Sequence, residues 1–289
     1  MAEDTNALLE IEDLRVAFRT PTGVVEAVRG VSLAVARGER VGIVGESGSG
    51  KSMTGRSVLG LIRPPGEMRA ARLSFDGQDL RSLPERRMRR LRGRRLAMIL
   101  QDPTYSLNPV MRVGRQITEA FRTADPSLSR RAARDRALAA LARVRIPRHD
   151  VARVYDAWPH ELSGGMGQRV MIAMMVALGP DLLIADEPTS ALDVTVQMQV
   201  LAILDDLVRE TGMGLMFISH DLNLVASFCD RVVVMYAGRV METCAAADLH
   251  AARHPYTRGL LAALPSIRGS HGDLPVLARD PGWLEGAPA

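Results

Sequence analysis

Glu39-Arg40-Val41-Gly42-Ile43-Val44, Leu96-Ala97-Met98-Ile99-Leu100, Asp181-Leu182-Leu183-Ile184-Ala185-Asp186 and Gly214-Leu215-Met216-Phe217-Ile218-Ser219 are short, nearly unbroken apolar runs. Runs of this length predict strands covered on both faces, as in a parallel sheet. The stretches Met53–Leu59, Arg130–Val144 and Thr195–Glu210 carry apolar residues at helical spacing instead, and Ser129 is placed to cap the second of them. Leu8–Phe18 alternates in part, and Val24–Val35 continues β-like sequence punctuated by Gly30, so an antiparallel sheet is expected ahead of the main core. Residues 103–177 read as a mostly helical insertion. The alternation of buried strands with helices predicts an α/β fold whose ligand chemistry lies at the strand C-terminal ends. From His250 onward Pro and Gly recur, which marks 250–289 as an appended tail.

A chain of 289 residues with 47% apolar content can bury a large core, as one main domain with a subdomain. No apolar run reaches the roughly 18 to 20 residues that span a bilayer. Met1-Ala2-Glu3-Asp4-Thr5 is polar and acidic with no apolar signal core after it, so an intracellular protein is expected. Two cysteines, Cys229 and Cys244, suit a reducing compartment and form no ligand cluster. The net charge of +4 is concentrated in Arg86-Arg87-Met88-Arg89-Arg90-Leu91-Arg92-Gly93-Arg94-Arg95. No aromatic residue is interleaved there to stack on bases, which favours a solvated surface near anionic headgroups or a membrane partner over a nucleic-acid site.

Lys51 is the one lysine of the chain; the other 36 of its 37 fixed cations are arginines. It stands in Gly45-Glu46-Ser47-Gly48-Ser49-Gly50-Lys51-Ser52, between a predicted strand and a predicted helix. The spacing G-x-x-x-x-G-K-S lets a glycine-rich backbone turn its N–H groups toward phosphate oxygens while the following helix adds its positive end. A compact ammonium reaches the β- and γ-phosphates where a planar guanidinium fork does not fit, and the Ser52 hydroxyl is placed for Mg²⁺. Asp186-Glu187 ends an apolar strand and supplies the acidic element such a loop requires. Asp186 is expected to hold Mg²⁺ through water and Glu187 to polarise the attacking water.

Leu162-Ser163-Gly164-Gly165-Met166-Gly167-Gln168-Arg169 opens a helix on a capping serine and two glycines, leaving free N–H groups that suit an anion. The motif resembles the signature sequence of ATP-binding-cassette (ABC) proteins. The resemblance implies a P-loop NTPase nucleotide-binding domain, with a RecA-like core, an antiparallel β subdomain and a helical subdomain. It also implies a head-to-tail pair of cassettes in which Ser163, Gly164, Gly165 and Met166 serve the partner's ATP. Gln101 matches the glutamine that touches Mg²⁺ and water, Asp193 in Ser190-Ala191-Leu192-Asp193 matches the loop that crosses the dimer interface, and His220 matches the histidine on the γ-phosphate. Phe18 is the candidate aromatic for stacking on adenine, with a core role as the alternative.

Within that class the chain looks like the ATP-binding subunits of oligopeptide, dipeptide and nickel importers. Gln101-Asp102-Pro103, Ser106-Leu107-Asn108-Pro109, Ile184–Thr189 and the tail's His254-Pro255-Tyr256-Thr257 with Leu260-Leu261 and Leu264-Pro265 carry this resemblance. It implies an ATP-binding domain over 1–249 and a transporter-type tail over 250–289. The implied partners are a second, related ATPase chain, two permeases and an external substrate-binding protein, with the chain on the cytoplasmic face of a bacterial inner membrane and no nucleic acid. Longer members hold a cysteine-rich segment near the C-terminus; no cysteine follows Cys244, so no iron–sulfur cluster is expected. A non-transport ABC ATPase acting on nucleic acid or the ribosome is the alternative; such proteins usually carry two cassettes, a long coiled coil or zinc-binding cysteines, none visible here.

Overall fold

The computed structural model describes residues 7–101, 106–190, 192–263 and 280–284. Asp102-Pro103, Ala191 and Leu264-Pro265 of the motifs above lie outside the described residues. The chain visits two compact units: one holds Leu9–Val35, Arg40–Ser82 and the chain from Phe217 on, the other the chain up to Leu8, Ala36–Glu39 and Leu83–Met216. We refer to them as the P-loop unit and the helical unit.

In the P-loop unit the two long strands β1 (Ala7–Thr20) and β2 (Gly23–Ala36) are followed by β3 (Arg40–Val44), helix α1 (Lys51–Val58) and the short strands β4 (Gly66–Arg69), β5 (Arg72–Phe75) and β6 (Gln78–Asp79). One sheet has the order β2-β1-β5-β6, with β4 pairing on β1. Its register sets Leu9 opposite Phe75 and Ile11 opposite Leu73, so the apolar half of each alternating strand faces the same side; all four side chains are buried.

After residue 217 the same unit adds α8 (Leu222–Phe228), β10 (Arg231–Tyr236), β11 (Arg239–Ala245), a 3₁₀ turn over Ala246–Ala251 and α9 (Pro255–Ala262). β10 runs parallel to β3, with Val232 opposite Gly42 and Val234 opposite Val44, and antiparallel to β11. Gly42 lets α8 close onto β3, since a Cβ there would stand 2.2 Å from Cγ1 of Val225. The β10–β11 turn is Ala237-Gly238, both at positive φ (46° and 84°), the two-residue geometry that matches strand twist. That turn braces the loop after β3: Gly238 N donates to Ser49 O (3.0 Å), and Arg29 N of β2 donates to Gly238 O (2.7 Å).

The helical unit contains, in chain order, α2 (Glu85–Leu91), β7 (Leu96–Ile99), α3 (Val113–Ala124), α4 (Arg130–Arg143), α5 (Arg148–Asp156), α6 (Gly164–Val176), β8 (Leu182–Asp186) and α7 (Val194–Thr211). β9 (Gly214–Ile218) is where the chain leaves it. β7 pairs parallel with β8, from Leu96 opposite Leu182 to Ile99 opposite Ala185. Helices α3 to α6 pack on one another, and α6 also covers β7. Ser129 caps α4 by accepting from Ala132 N (3.2 Å), and the buried Ala133, Ala137 and Leu141 give that helix a narrow packing face at i, i+4, i+8. Gly114 of α3 makes room for the ring of Tyr155, 2.2 Å from where a Cβ would sit, and Tyr155 Oη meets Thr118 Oγ1 at 3.0 Å.

Within the arginine-rich run three side chains have partners in the unit. Arg92 pairs with Glu85 at 2.6 Å, Arg95 with Asp181 at 2.5 Å, and Arg94 donates to the Ala124 carbonyl. Arg86, Arg87, Arg89 and Arg90 are exposed.

Candidate nucleotide site

The eight residues from Gly45 to Ser52 join the C-terminal end of β3 to the first turn of α1. Only glycine fits at two of them. Gly45 has φ 148°, and a Cβ there would stand 2.0 Å from the Met235 carbonyl oxygen; Gly50 has φ 98°, and its Cβ would stand 2.5 Å from the Ala27 carbonyl oxygen. α1 starts at Lys51, two residues before the helical spacing at Met53, because Gly50 turns in the left-handed region and its carbonyl already accepts from Thr54 N (2.9 Å).

Lys51 is only 5% exposed. A buried ammonium needs acceptors, and its Nζ donates to Gly45 O (2.8 Å), Glu46 O (2.8 Å) and Ser49 Oγ (3.4 Å). The charge is thus held on the inner face of the loop, while Ser47 and Gly48 at the tip are exposed and Ser52 is half-buried. His220 follows β9 in the same unit; Ser219 N donates to Ile43 O (3.1 Å), which fixes the end of β9 beside the strand leading into the loop. His220 itself is exposed. Phe18 lies opposite Gly66 in the β1–β4 register, half-buried, its Cε1 2.7 Å from where a Gly66 Cβ would be, so its ring rests on that glycine.

In the helical unit, Asp186 ends β8 and is buried at 4% exposure. Glu187, the next residue, has φ 47°, an uncommon conformation for a side chain without local hydrogen-bonding use, and one that concentrates at functional sites. Gln101 donates through Nε2 to Glu187 Oε2 at 3.1 Å. Asp186 and the Ser52 hydroxyl are hard oxygen donors, and no group of three or more His, Cys, Asp or Glu suited to a metal occurs among the described residues. Hard oxygen donors of this type, each in its own unit, are the kind Mg²⁺ takes.

The signature stretch forms the N-terminal end of α6. Ser163 accepts from Met166 N (3.4 Å) as the cap. Ser163, Gly164, Gly165 and Met166 line an open cavity of about 460 Å³ together with Asp193, Arg169 and Val196. Asp193 caps α7, accepting from Val196 N at 3.0 Å. Gly165 is fixed as glycine by Val196, whose Cγ1 would stand 2.6 Å from a Cβ.

Three residues, two in the helical unit and one in the P-loop unit, were not singled out from sequence as functional. Arg169, on the wall of the same cavity, donates to the Arg145 carbonyl (3.1 Å) and to Gln199; burial, with the nearby Arg145 charge, holds its pKa below the usual arginine value. Gln168, 1% exposed, ties α6 to the segment after β8 by donating to the Pro188 carbonyl at 2.5 Å. Tyr256, from the tail motif, reaches the phosphate loop through its hydroxyl. The signals were present as quoted motif residues, but a glutamine inside a helix and a tyrosine after a proline do not announce their partners.

A glycine loop closed around a buried lysine, at the end of a strand that pairs in parallel, defines a P-loop NTPase. The ABC transporter family model matches residues 28–190, more than half of the chain. The chain belongs to that family: it is an ATPase with the α/β cassette fold. The oligopeptide transport ATP-binding protein OppD of Bacillus subtilis is 48% identical over 265 residues, which cover 91% of this chain and 73% of OppD. The dipeptide transport ATP-binding protein DppD of Escherichia coli is 48% identical over 281 residues, 97% of this chain and 84% of DppD. Among solved structures, the dimeric cassette MJ0796 in a post-hydrolysis state with ADP and Pi matches with a TM-score of 0.73 at 25% identity, covering 82% of this chain and 98% of MJ0796. CbiO1 of Clostridium perfringens, part of a CbiONQ transporter complex, matches with a TM-score of 0.70 at 27% identity, over 85% and 91% of the two chains.

Proposed function

We propose that this chain is one of two ATP-hydrolysing subunits that power a bacterial importer of dipeptides, oligopeptides or a related substrate such as nickel. The observation that carries the reading is that one chain holds both a phosphate loop around buried Lys51 and a second cavity, at the capped end of α6, where Ser163, Gly164 and Gly165 meet Asp193. Relatives similar over nearly the whole chain, OppD and DppD, are transport ATP-binding proteins for oligopeptides and dipeptides.

In this reading the loop amides and Lys51 hold the phosphates of one ATP, and Ser52 and Asp186 supply oxygen donors for Mg²⁺. The ion neutralises charge on the transferring phosphoryl group when bound. Glu187, steadied by Gln101, accepts a hydrogen bond from the attacking water and so polarises it, and His220 contacts the γ-phosphate. The work is positioning and electrostatics around an in-line displacement. The Ser163 end and Asp193 serve the nucleotide of a partner cassette, in the resembled importers often a different, related chain. Phe18 is proposed to stack on adenine.

No helix among the described residues is long and apolar enough to cross a membrane, so attachment at the cytoplasmic face is assigned to two permease partners, with an external binding protein selecting the substrate. The stretch 108–112 suits such a contact. Gln116 holds it by accepting from Asn108 N (2.9 Å) and donating to Asn108 O (3.0 Å), leaving Val110 79% exposed at its tip. The proposed domains are 1–249, with a helical subdomain of about 103–177, and a tail of 250–289. The test is reconstitution with the permeases in lipid: ATP hydrolysis should rise when peptide-loaded binding protein is added. A complex whose ATPase ignores every peptide and nickel ligand supplied would remove the substrate class, and failure to bind permeases at all would remove the transport role.

A further inference from the structure

Tyr256 is fully buried, with no exposed surface, and it carries a hydroxyl into that environment. A buried phenol needs a hydrogen-bond partner. Its Oη accepts from Glu46 N, a long contact at 3.4 Å. Glu46 is the residue whose carbonyl, with that of Gly45, receives Lys51 Nζ at 2.8 Å. The Gly45–Glu46 peptide of the phosphate loop is therefore held from two sides, by the lysine on its oxygen and by the tyrosine on its N–H.

The tail is built to put that hydroxyl in place. Glu242 of β11 accepts from Arg253 N (2.7 Å) and His254 N (3.2 Å), fixing the approach to α9. Burial raises the Glu242 pKa, but these amides, with help from His254, bring it net below the usual carboxylate value. His254 caps α9 by accepting at Nδ1 from Tyr256 N (3.1 Å), with Pro255 in the first helical position, where its missing N–H costs nothing. The Tyr256 ring then packs on Tyr236 of β10 (centroids 4.6 Å apart) and on Trp283 (5.7 Å); Trp283 also meets Tyr236 edge-on at 5.9 Å and His254 at 6.0 Å. Tyr236 and Trp283 thus converge on the Tyr256 ring, whose hydroxyl touches the loop.

We propose that Tyr256 is a positioning residue for ATP binding: its hydroxyl sets the Gly45–Glu46 peptide so that the loop amides beyond it are preorganised for phosphate. Helix α9 is then a part of the nucleotide site. The proposal rests on the loop being the ATP site, and the experiment separates the two. Tyr256→Phe keeps the ring and its packing and removes the hydroxyl that Glu46 N reaches. In the full chain, Mg-ATP affinity measured by calorimetry should fall about 2- to 10-fold, the range expected for one hydrogen bond. In the assembled transporter KM for ATP should rise by a similar factor with kcat little changed, the pattern of lost uniform binding. A variant that merely folded less well would lose kcat at unchanged KM, and that result overturns the proposal. Lys51→Ala is the reference. If it loses ATP binding while Tyr256→Phe binds as the unaltered chain does, Tyr256 has no positioning role; if Lys51→Ala also binds normally, the loop is not the phosphate site and both readings fall.

Discussion

Gln101 and Glu187 meet at 3.1 Å because the β7–β8 register brings them level: Ile99 lies opposite Ala185, and each residue stands two positions beyond its end of that pair. The strand pairing delivers an amide donor to one oxygen of the carboxylate proposed to activate water. Glu187→Gln should keep ATP binding and slow turnover in the assembled complex by on the order of a hundredfold or more, the usual worth of a positioned general base. Gln101→Ala leaves the carboxylate in place but unsteadied and should cost less, about tenfold. Single-turnover ATPase assays check the order; equal losses would mean that Glu187 acts through some other contact.

The single lysine gives a chemical handle. An amine-selective reagent has two kinds of target in this chain, Lys51 and the N-terminal amine. Because Lys51 is 5% exposed and bonded to two loop carbonyls, its labelling should be slow, blocked further by Mg-ATP, and matched to loss of activity. Lys51→Arg should weaken ATP binding by about tenfold or more, since a flat five-donor fork cannot replace a point charge in that space. Peptide mapping of the labelled chain, with and without nucleotide, measures this; modification at Lys51 indifferent to ATP would place its amine away from the phosphates.

Gln168 supports the site from behind. It is buried in α6 and its amide satisfies the Pro188 carbonyl, just past Glu187. Gln168→Leu preserves volume and leaves that carbonyl without its donor, which should cost about 1–3 kcal/mol of stability. Urea unfolding of the two chains measures it. An unchanged midpoint would show that water or another donor replaces the amide at no cost.

The phosphate loop was legible because each of its demands is local: glycines where φ is positive, a lysine where a point charge is wanted, a buried strand before and a helix after. The Ser129 cap and the β8 and β9 runs were legible for the same reason. The hairpin of β10 and β11 was not assigned, although it braces the loop through Gly238, because its turn is Ala237-Gly238 rather than an Asn-Gly pair and Ala237 gives no hint of φ 46°. The arginine-rich run hid α2, since its single buried side chain, Met88, makes no periodic pattern. In the tail, Pro and Gly content marked only an appended segment, whereas Tyr256 of α9 is fully buried there, held by ring packing and a side-chain-to-backbone bond across 210 positions. Such long-range contacts leave no spacing to read.

The cavity at the N-terminal end of α6 yields the test of the paired-cassette mechanism. Ser163 and Gly164 are exposed there, and Ser163 both caps the helix and, in the proposed arrangement, faces the phosphates of the partner's ATP. The two roles can be separated. Ser163→Arg fills the cavity and removes the cap, at a stability cost of about 1 kcal/mol. Ser163→Asp keeps a capping oxygen, so the helix should hold, but sets a negative charge where an anion is to bind. Both variants should abolish most ATP hydrolysis in the assembled complex while leaving ATP binding to the isolated chain intact, because that chain's own loop is untouched. The isolated chain should hydrolyse ATP slowly, and its activity should rise with the partner and rise again with both permeases in lipid. Full turnover from a dilute monomer, unchanged by Ser163→Asp, would end the shared-site mechanism and leave the α6 cavity without a nucleotide role.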